Sequence, residues 1–120
     1  MNESFARADW AQLKAELRHT LISLAKARRT ISYSELARQL QTATIHHRSP
    51  LFTPLLIEVC DEAERAGDGS LCALVVRKSD GIPGKGYFEA AALRGADVHD
   101  PYAFWREEAE KVWEQWAGRG

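Results

Sequence analysis

Thr30-Ile31-Ser32-Tyr33-Ser34-Glu35-Leu36-Ala37 decides how the chain is read. Ser32 followed by Glu35 is a capping box, in which each side chain can satisfy an orphan amide of a first helical turn. Thr30-Ile31 therefore reads as a short extended link. A short helix follows, with Leu36, Ala37 and Leu40 on its buried side and Glu35, Arg38 and Gln39 on its polar side. Upstream, Trp10, Leu13, Leu17, Leu21 and Leu24 recur three or four residues apart, which predicts an amphipathic helix over about 9–27. Asp9 suits its N-cap, and Lys26, Arg28 and Arg29 suit the negative end of its dipole.

Downstream, residues 41–49 have no clear period and contain His46-His47-Arg48, so they read as a loop. Ser49-Pro50 and Thr53-Pro54 both look like an N-cap with Pro in the first helical position. Pro54 would break a helix begun much earlier, so the second pair is expected to start the regular part. Leu55, Leu56, Val59, Cys60 and Ala63 then form an inward stripe, and Gly67 is the expected stop. The apolar run Leu71-Cys72-Ala73-Leu74-Val75-Val76 predicts a buried strand. Residues 79–86 are dense in turn formers and lead to Tyr87-Phe88, so a strand-loop-strand hairpin is expected. Ala90 to Leu93 favour helix before Gly95 stops it. Asp100-Pro101 opens a last helix with Phe104, Trp105, Ala109, Val112, Trp113 and Trp116 on its apolar face.

Helix, short capped helix, third helix, hairpin is the order of a winged helix-turn-helix. The expectation is an α+β, mostly α, single domain over residues 1–120. Its core spans about 9–93, with a β-hairpin wing and extra N- and C-terminal helices, the last over about 101–117. At Tyr33-Ser34-Glu35-Leu36-Ala37, and again at Cys72-Ala73-Leu74-Val75-Val76 through Ser79-Asp80-Gly81 and Gly84-Lys85-Gly86-Tyr87, the sequence resembles the DNA-binding domain of alkylguanine-DNA alkyltransferases and alkyltransferase-like proteins. The resemblance covers about Thr30 to Phe88. It implies that Tyr33 stands near a target-strand phosphate and that Cys72 takes the place of the family's nucleophile. The family's Pro-Cys-His-Arg-Val reads here Leu71-Cys72-Ala73-Leu74-Val75. With no His to form the thiolate, alkyl transfer is not expected, and no other catalytic residues are visible. Arg48 is the only nearby candidate for the family's Arg finger, which fills the gap left by a flipped base.

Charge is unevenly spread in a chain that is 45% apolar and 28% charged, with a net charge of −1. From Lys14 to Ile57 there are seven Lys/Arg against two Asp/Glu, and from Gly69 to Gly95 four against two. Glu58 to Asp68 holds five acids and one Arg, and Ala96 to Gly120 six acids and three bases. A basic segment can bind a polyanion even in a nearly neutral protein, because the local field decides. Tyr33, Ser34, Arg38, His46, His47, Arg48, Arg77, Lys78 and Lys85 fall where such a fold would meet duplex DNA. A non-catalytic DNA-binding protein is the leading expectation. A protein-interaction adaptor on the same fold is the rival, motivated by acidic Glu58, Asp61, Glu62 and Glu64 and by the aromatic C-terminal helix, which leaves room for a homodimer or partner contact. An alkyltransferase-like sensor of damaged bases is the third reading.

Neither a metal nor a cofactor is expected. His46-His47 lacks a third ligand at convincing spacing, and Gly81, Gly84 and Gly86 lack the spacing of a nucleotide fingerprint. No run approaches the roughly 18 to 20 apolar residues of a membrane span, and the first residues lack a basic region followed by an apolar one, so a cytoplasmic protein is expected. Cys60 and Cys72 lie in apolar runs, where reduced thiols serve as small hydrophobes.

Overall fold

One long helix organises the rest. In the computed structural model, which describes residues 7–118, α1 (Arg7–Lys26) buries Leu13, Leu17, Leu21 and Ala25, one residue per turn, with Trp10 and Leu24 half-buried beside them. That stripe packs against α3 (Phe52–Arg65), α5 (Pro101–Trp116) and a single 3-10 turn (Leu71–Leu74). Each Leu removed from water here contributes about 1.5–3 kcal/mol, which fixes α1 as the spine of the core. The helix ends where Arg28 adopts a positive φ of 55°, a conformation that costs a residue with a Cβ roughly 1–2 kcal/mol.

The Ser32 cap forms at the expected place, but the Glu35 carboxylate meets the Ser32 hydroxyl and not its amide, so only half of the box forms. Ser32 Oγ accepts from the Glu35 N–H at 3.2 Å, and the Ser32 hydroxyl donates to the Glu35 carboxylate at 3.0 Å, opening α2 (Tyr33–Arg38). The loop that follows is tied to α1 by Glu16, whose carboxylate accepts from the Gln41 N–H at 2.9 Å and from the Thr42 hydroxyl. α3 starts before the expected Thr53-Pro54 pair. Its N-cap is Leu51, and the Ser49 hydroxyl accepts from the Leu51 N–H at 3.1 Å one turn earlier. Pro54 is accommodated because an amide in the first turn has no intrahelical partner to lose. Gly67, at φ 85°, follows the C-cap as expected.

The expected hairpin does not form among the described residues. Of the apolar run, Leu71–Leu74 is the 3-10 turn and only Val75–Val76 is a strand, β2. Its partner is β1 (Ile31–Ser32), in parallel, with Ile31 opposite Val75 and Ser32 opposite Val76. The run is apolar because it is enclosed by helices: Leu71, Ala73 and Leu74 are fully buried, and a 3-10 turn hides them as well as a strand would. Tyr87-Phe88, expected as the returning strand, belongs instead to α4 (Lys85–Leu93). The helix-forming Ala90 to Leu93 segment carries its conformation back to Gly84, and Arg77 to Ile82 closes as a tight loop, with the Arg77 N–H on Ile82 O at 2.8 Å. The α+β, mostly α architecture holds, with a two-residue parallel ladder where the wing was expected.

α5 begins as its sequence dictates, with Asp100 Oδ1 accepting from the Ala103 N–H at 3.1 Å and Pro101 in the first turn. Its three Trp residues point inward. Trp105 donates its indole N–H to Ala73 O at 2.7 Å, Trp113 to Arg29 O at 3.3 Å, and Trp116 to Asp68 O at 2.9 Å. Each buried indole N–H thus finds a backbone carbonyl, which is what lets a large aromatic residue sit in a core.

The cysteines are not free thiols. Cys60 and Cys72 form a disulfide, with Cα atoms 5.7 Å apart. The inward stripe of α3 carries Cys60 to the 3-10 turn that carries Cys72, a contact invisible to a reading of two separate apolar runs. Closing a loop of 12 residues in this way stabilises a fold by about 3 kcal/mol.

Candidate nucleic-acid interface

The parallel ladder sets up the site. Because Ser32 stands opposite Val76, the chain leaves β1 into α2 and leaves β2 into the loop 77–84 side by side. Arg38, in the last turn of α2, Lys78, in that loop, and the His46-His47-Arg48 segment converge as a result. The convergence is visible at His47. Its imidazole is held below its ordinary value of 6.5 by desolvation at a crowded surface and then by the positive charges of His46, Arg48, Arg38 and Lys78. The rings of His46 and His47 stack at 4.5 Å, and His46 Nδ1 accepts from the Arg48 N–H at 3.1 Å, which orders the segment locally. Arg38, Arg48 and Lys78 are exposed, and none has a carboxylate within salt-bridge distance among the described residues.

The other expected site residues are placed differently. Tyr33 opens α2 half-buried, and its hydroxyl accepts from the Gly84 N–H at 3.0 Å. Burial pushes its phenol pKa up. The hydroxyl keeps its own proton to donate. A Cβ on Gly84 would meet that oxygen at 3.4 Å, so a glycine suits the close approach. Ser34 lies 3.3 Å from the Ser32 hydroxyl and belongs to the capping network. Arg77 is engaged by Asp80 through two nitrogens, and Asp80 is held below the usual carboxylate range by that contact. Lys85, expected on a wing, stands on α4 with Glu89 Oε2 at 3.6 Å. The structure therefore gathers five of the nine candidates, Arg38, His46, His47, Arg48 and Lys78, and leaves the other four outside the unpaired cluster.

The acidic stretch of α3 is largely spent within the fold. Lys14 lies 3.4 Å from Glu58 and 2.6 Å from Glu62, and Trp10 donates its indole N–H to Glu58 at 3.0 Å. The Glu62 hydrogen bond is the main reason that the Lys14 pKa is raised. Asp68, nearly buried, receives two nitrogens of Arg18.

Sequence reasoning did not find a pocket that opens elsewhere on the fold. It holds about 350 Å³ between α2, α3, the 3-10 turn and α4, and Tyr33, Thr53, Cys60, Asp61, Glu64, Cys72, Tyr87 and Arg94 help to line it. Burial is the main influence on Tyr87, whose pKa is pushed well above the usual phenol range. Two expectations pointed toward this place, Tyr33 and Cys72, but the helical form of residues 85–93, which roofs it, had no clear signal. With this geometry in hand, no family model, curated protein or solved structure matches the chain.

Proposed function

We propose that the protein binds duplex DNA without catalysis, with α2 and α3 as the pair of a helix-turn-helix and with the loops 41–51 and 77–84 reaching phosphates in place of a hairpin wing. The observation that carries the reading is the cluster of Arg38, Arg48 and Lys78 around His47, exposed and without carboxylate partners among the described residues. Unpaired cations held together at a surface repel one another, and neutralising a row of phosphates relieves that repulsion while releasing condensed counterions. The absence of a transferring nucleophile belongs to the same reading: Cys72 is bonded to Cys60, and Ala73 stands where the resembled family has its His.

Anisotropy of a labelled duplex over a range of salt concentrations tests the proposal. Lys78→Ala should flatten the log-log salt slope by about one unit and leave sequence preference alone. Lys85→Ala, whose ammonium faces Glu89, should leave the slope nearly unchanged. Binding that ignores salt in the parent protein defeats the reading.

A second reading has its own observation. The pocket beside Tyr33 and Cys72 is the kind of cavity that a sensor of damaged bases requires, and its size is of the order of small-ligand sites. A duplex carrying an alkylated guanine separates the two readings: preference of more than about tenfold over the unmodified duplex, or 1.4 kcal/mol, favours the sensor. The adaptor reading draws less support, since Glu58 and Glu62 face α1 and the Trp residues of α5 are buried.

A further inference from the structure

Cys60 and Cys72 both line the pocket, and they differ in how open they are. Cys60 belongs to the inward stripe of α3 and is 4% exposed, whereas Cys72 is only half-buried. A disulfide sealed in a core has no path for an attacking thiolate. This one borders a cavity that also carries Asp61, Glu64 and Arg94, and the more open of its two residues is Cys72. Arg94 approaches Glu64 at 4.0 Å, so the lining retains one net negative charge, that of Asp61.

We propose that the Cys60–Cys72 pair is a reversible thiol–disulfide exchange site, entered through the pocket and opened by attack of a small cationic or neutral thiol on Cys72 Sγ. The attacking thiolate forms a bond to Cys72 Sγ as the Sγ–Sγ bond breaks, and its electron pair leaves on Cys60 Sγ, which takes a proton from solvent. A second thiol attacks the sulfur that the first one brought. It releases Cys72 as a thiolate and leaves as the small-molecule disulfide, so the protein gains two electrons and two protons while two thiols are oxidised. In the reverse direction a small-molecule disulfide reacts at Cys72, and Cys60 resolves the mixed disulfide. The selectivity follows from the lining: the residual carboxylate repels an anionic thiol such as glutathione and attracts the ammonium of cysteamine. The inference stands apart from DNA binding and needs none of the cluster around His47.

The test uses the full chain, folded, with cysteamine or glutathione at matched thiolate concentration. Samples are quenched with iodoacetamide and counted by mass spectrometry, with circular dichroism recorded at each time. Two carbamidomethyl groups should appear together while the helical signal is intact, and cysteamine should act at least about threefold faster than glutathione, the sense that local charge dictates. Gly86→Phe keeps both cysteines and places a ring in the pocket lining, where a Cβ meets nothing within 4 Å; it should slow reduction severalfold. With cystamine as oxidant, Cys72 in Cys60→Ser should form the mixed disulfide about tenfold faster than Cys60 in Cys72→Ser, because access controls the rate. If either single-cysteine variant fails to fold, the comparison of thiols and Gly86→Phe still decides. Labelling that tracks loss of helical signal, equal rates for the two thiols, or indifference to Gly86→Phe overturns the proposal.

Discussion

On α3, Glu58 and Glu62 turn toward α1, where Lys14 and the Trp10 indole take up their charge. On α2 and the two loops beside it, Arg38, Arg48 and Lys78 meet no carboxylate among the described residues, and after desolvation and His46 their charges help to hold His47 below its ordinary value. Both regions are dense in charge, yet one is consumed in holding two helices together and the other is left available. Density of charge along a sequence does not separate the two cases. Pairing does, because an ion pair between neighbouring helices has little field left for a partner, while unpaired like charges project theirs outward. Glu58 and Glu62 therefore have a structural explanation, and the basic cluster calls for a functional one.

The contrast can be broken most directly at the basic side. Arg38→Ala, Arg48→Ala and Lys78→Ala together should lower the log-log salt slope of DNA binding by about three units. Stability should stay within about 0.5 kcal/mol, because exposed unpaired charges contribute little to folding. A triple variant that binds as the parent does would place the interface elsewhere. Next in size is the anchor of the aromatic helix. Trp105→Phe removes the indole N–H from Ala73 O in a buried site and should cost about 1–3 kcal/mol in urea unfolding. An altered oligomeric state at unchanged stability would instead make α5 an interface.

Proton linkage gives a smaller and sharper effect. His47 titrates below its ordinary value of 6.5 in the folded chain, so folding favours its neutral form. Its contribution to stability is present above 6.5 and is lost as pH falls through the lower folded value. DNA phosphates would raise that value back toward 6.5, so binding takes up a proton and should tighten as pH falls through 6.5 toward the lower folded value, by tenfold for each unit of pKa regained once pH lies below it. His47→Gln should flatten the profile, and an unchanged profile would remove His47 from the interface. The smallest effect belongs to the acidic side: Glu58→Gln with Glu62→Gln should shift stability by less than about 1 kcal/mol and leave DNA affinity where it was. A large gain in affinity would mean that these carboxylates oppose DNA after all.

Local signals were legible where one residue type has one use. The Ser32 cap and the Asp100-Pro101 cap are each read within a single turn, and the stripe of α1 within a single helix, and each forms where expected. The run from Leu71 to Val76 was not legible, since a segment enclosed on all sides has no period, and nothing local distinguishes a strand from a 3-10 turn. Tyr87-Phe88 followed that error, because a second strand was inferred from the first. The same limit applies to the site: the basic residues could be named individually, but their convergence depends on Ile31 pairing with Val75, 44 residues along the chain. The disulfide and the pocket are long-range facts of the same kind.

Consider finally the bond from Trp113 to the carbonyl of Arg29, which links residues 84 apart, and the nearby pair of Arg28 with Glu110, 82 apart. These close about three quarters of the described chain into one loop, a long search for a small helical protein whose other contacts include many local ones. Folding time follows the sequence separation of contacts more than helix content, so refolding should be slower than the helix content alone implies. If α5 docks after the folding barrier has been crossed, Trp113→Phe should accelerate unfolding and leave the refolding rate nearly untouched, which stopped-flow fluorescence on the remaining Trp residues would measure.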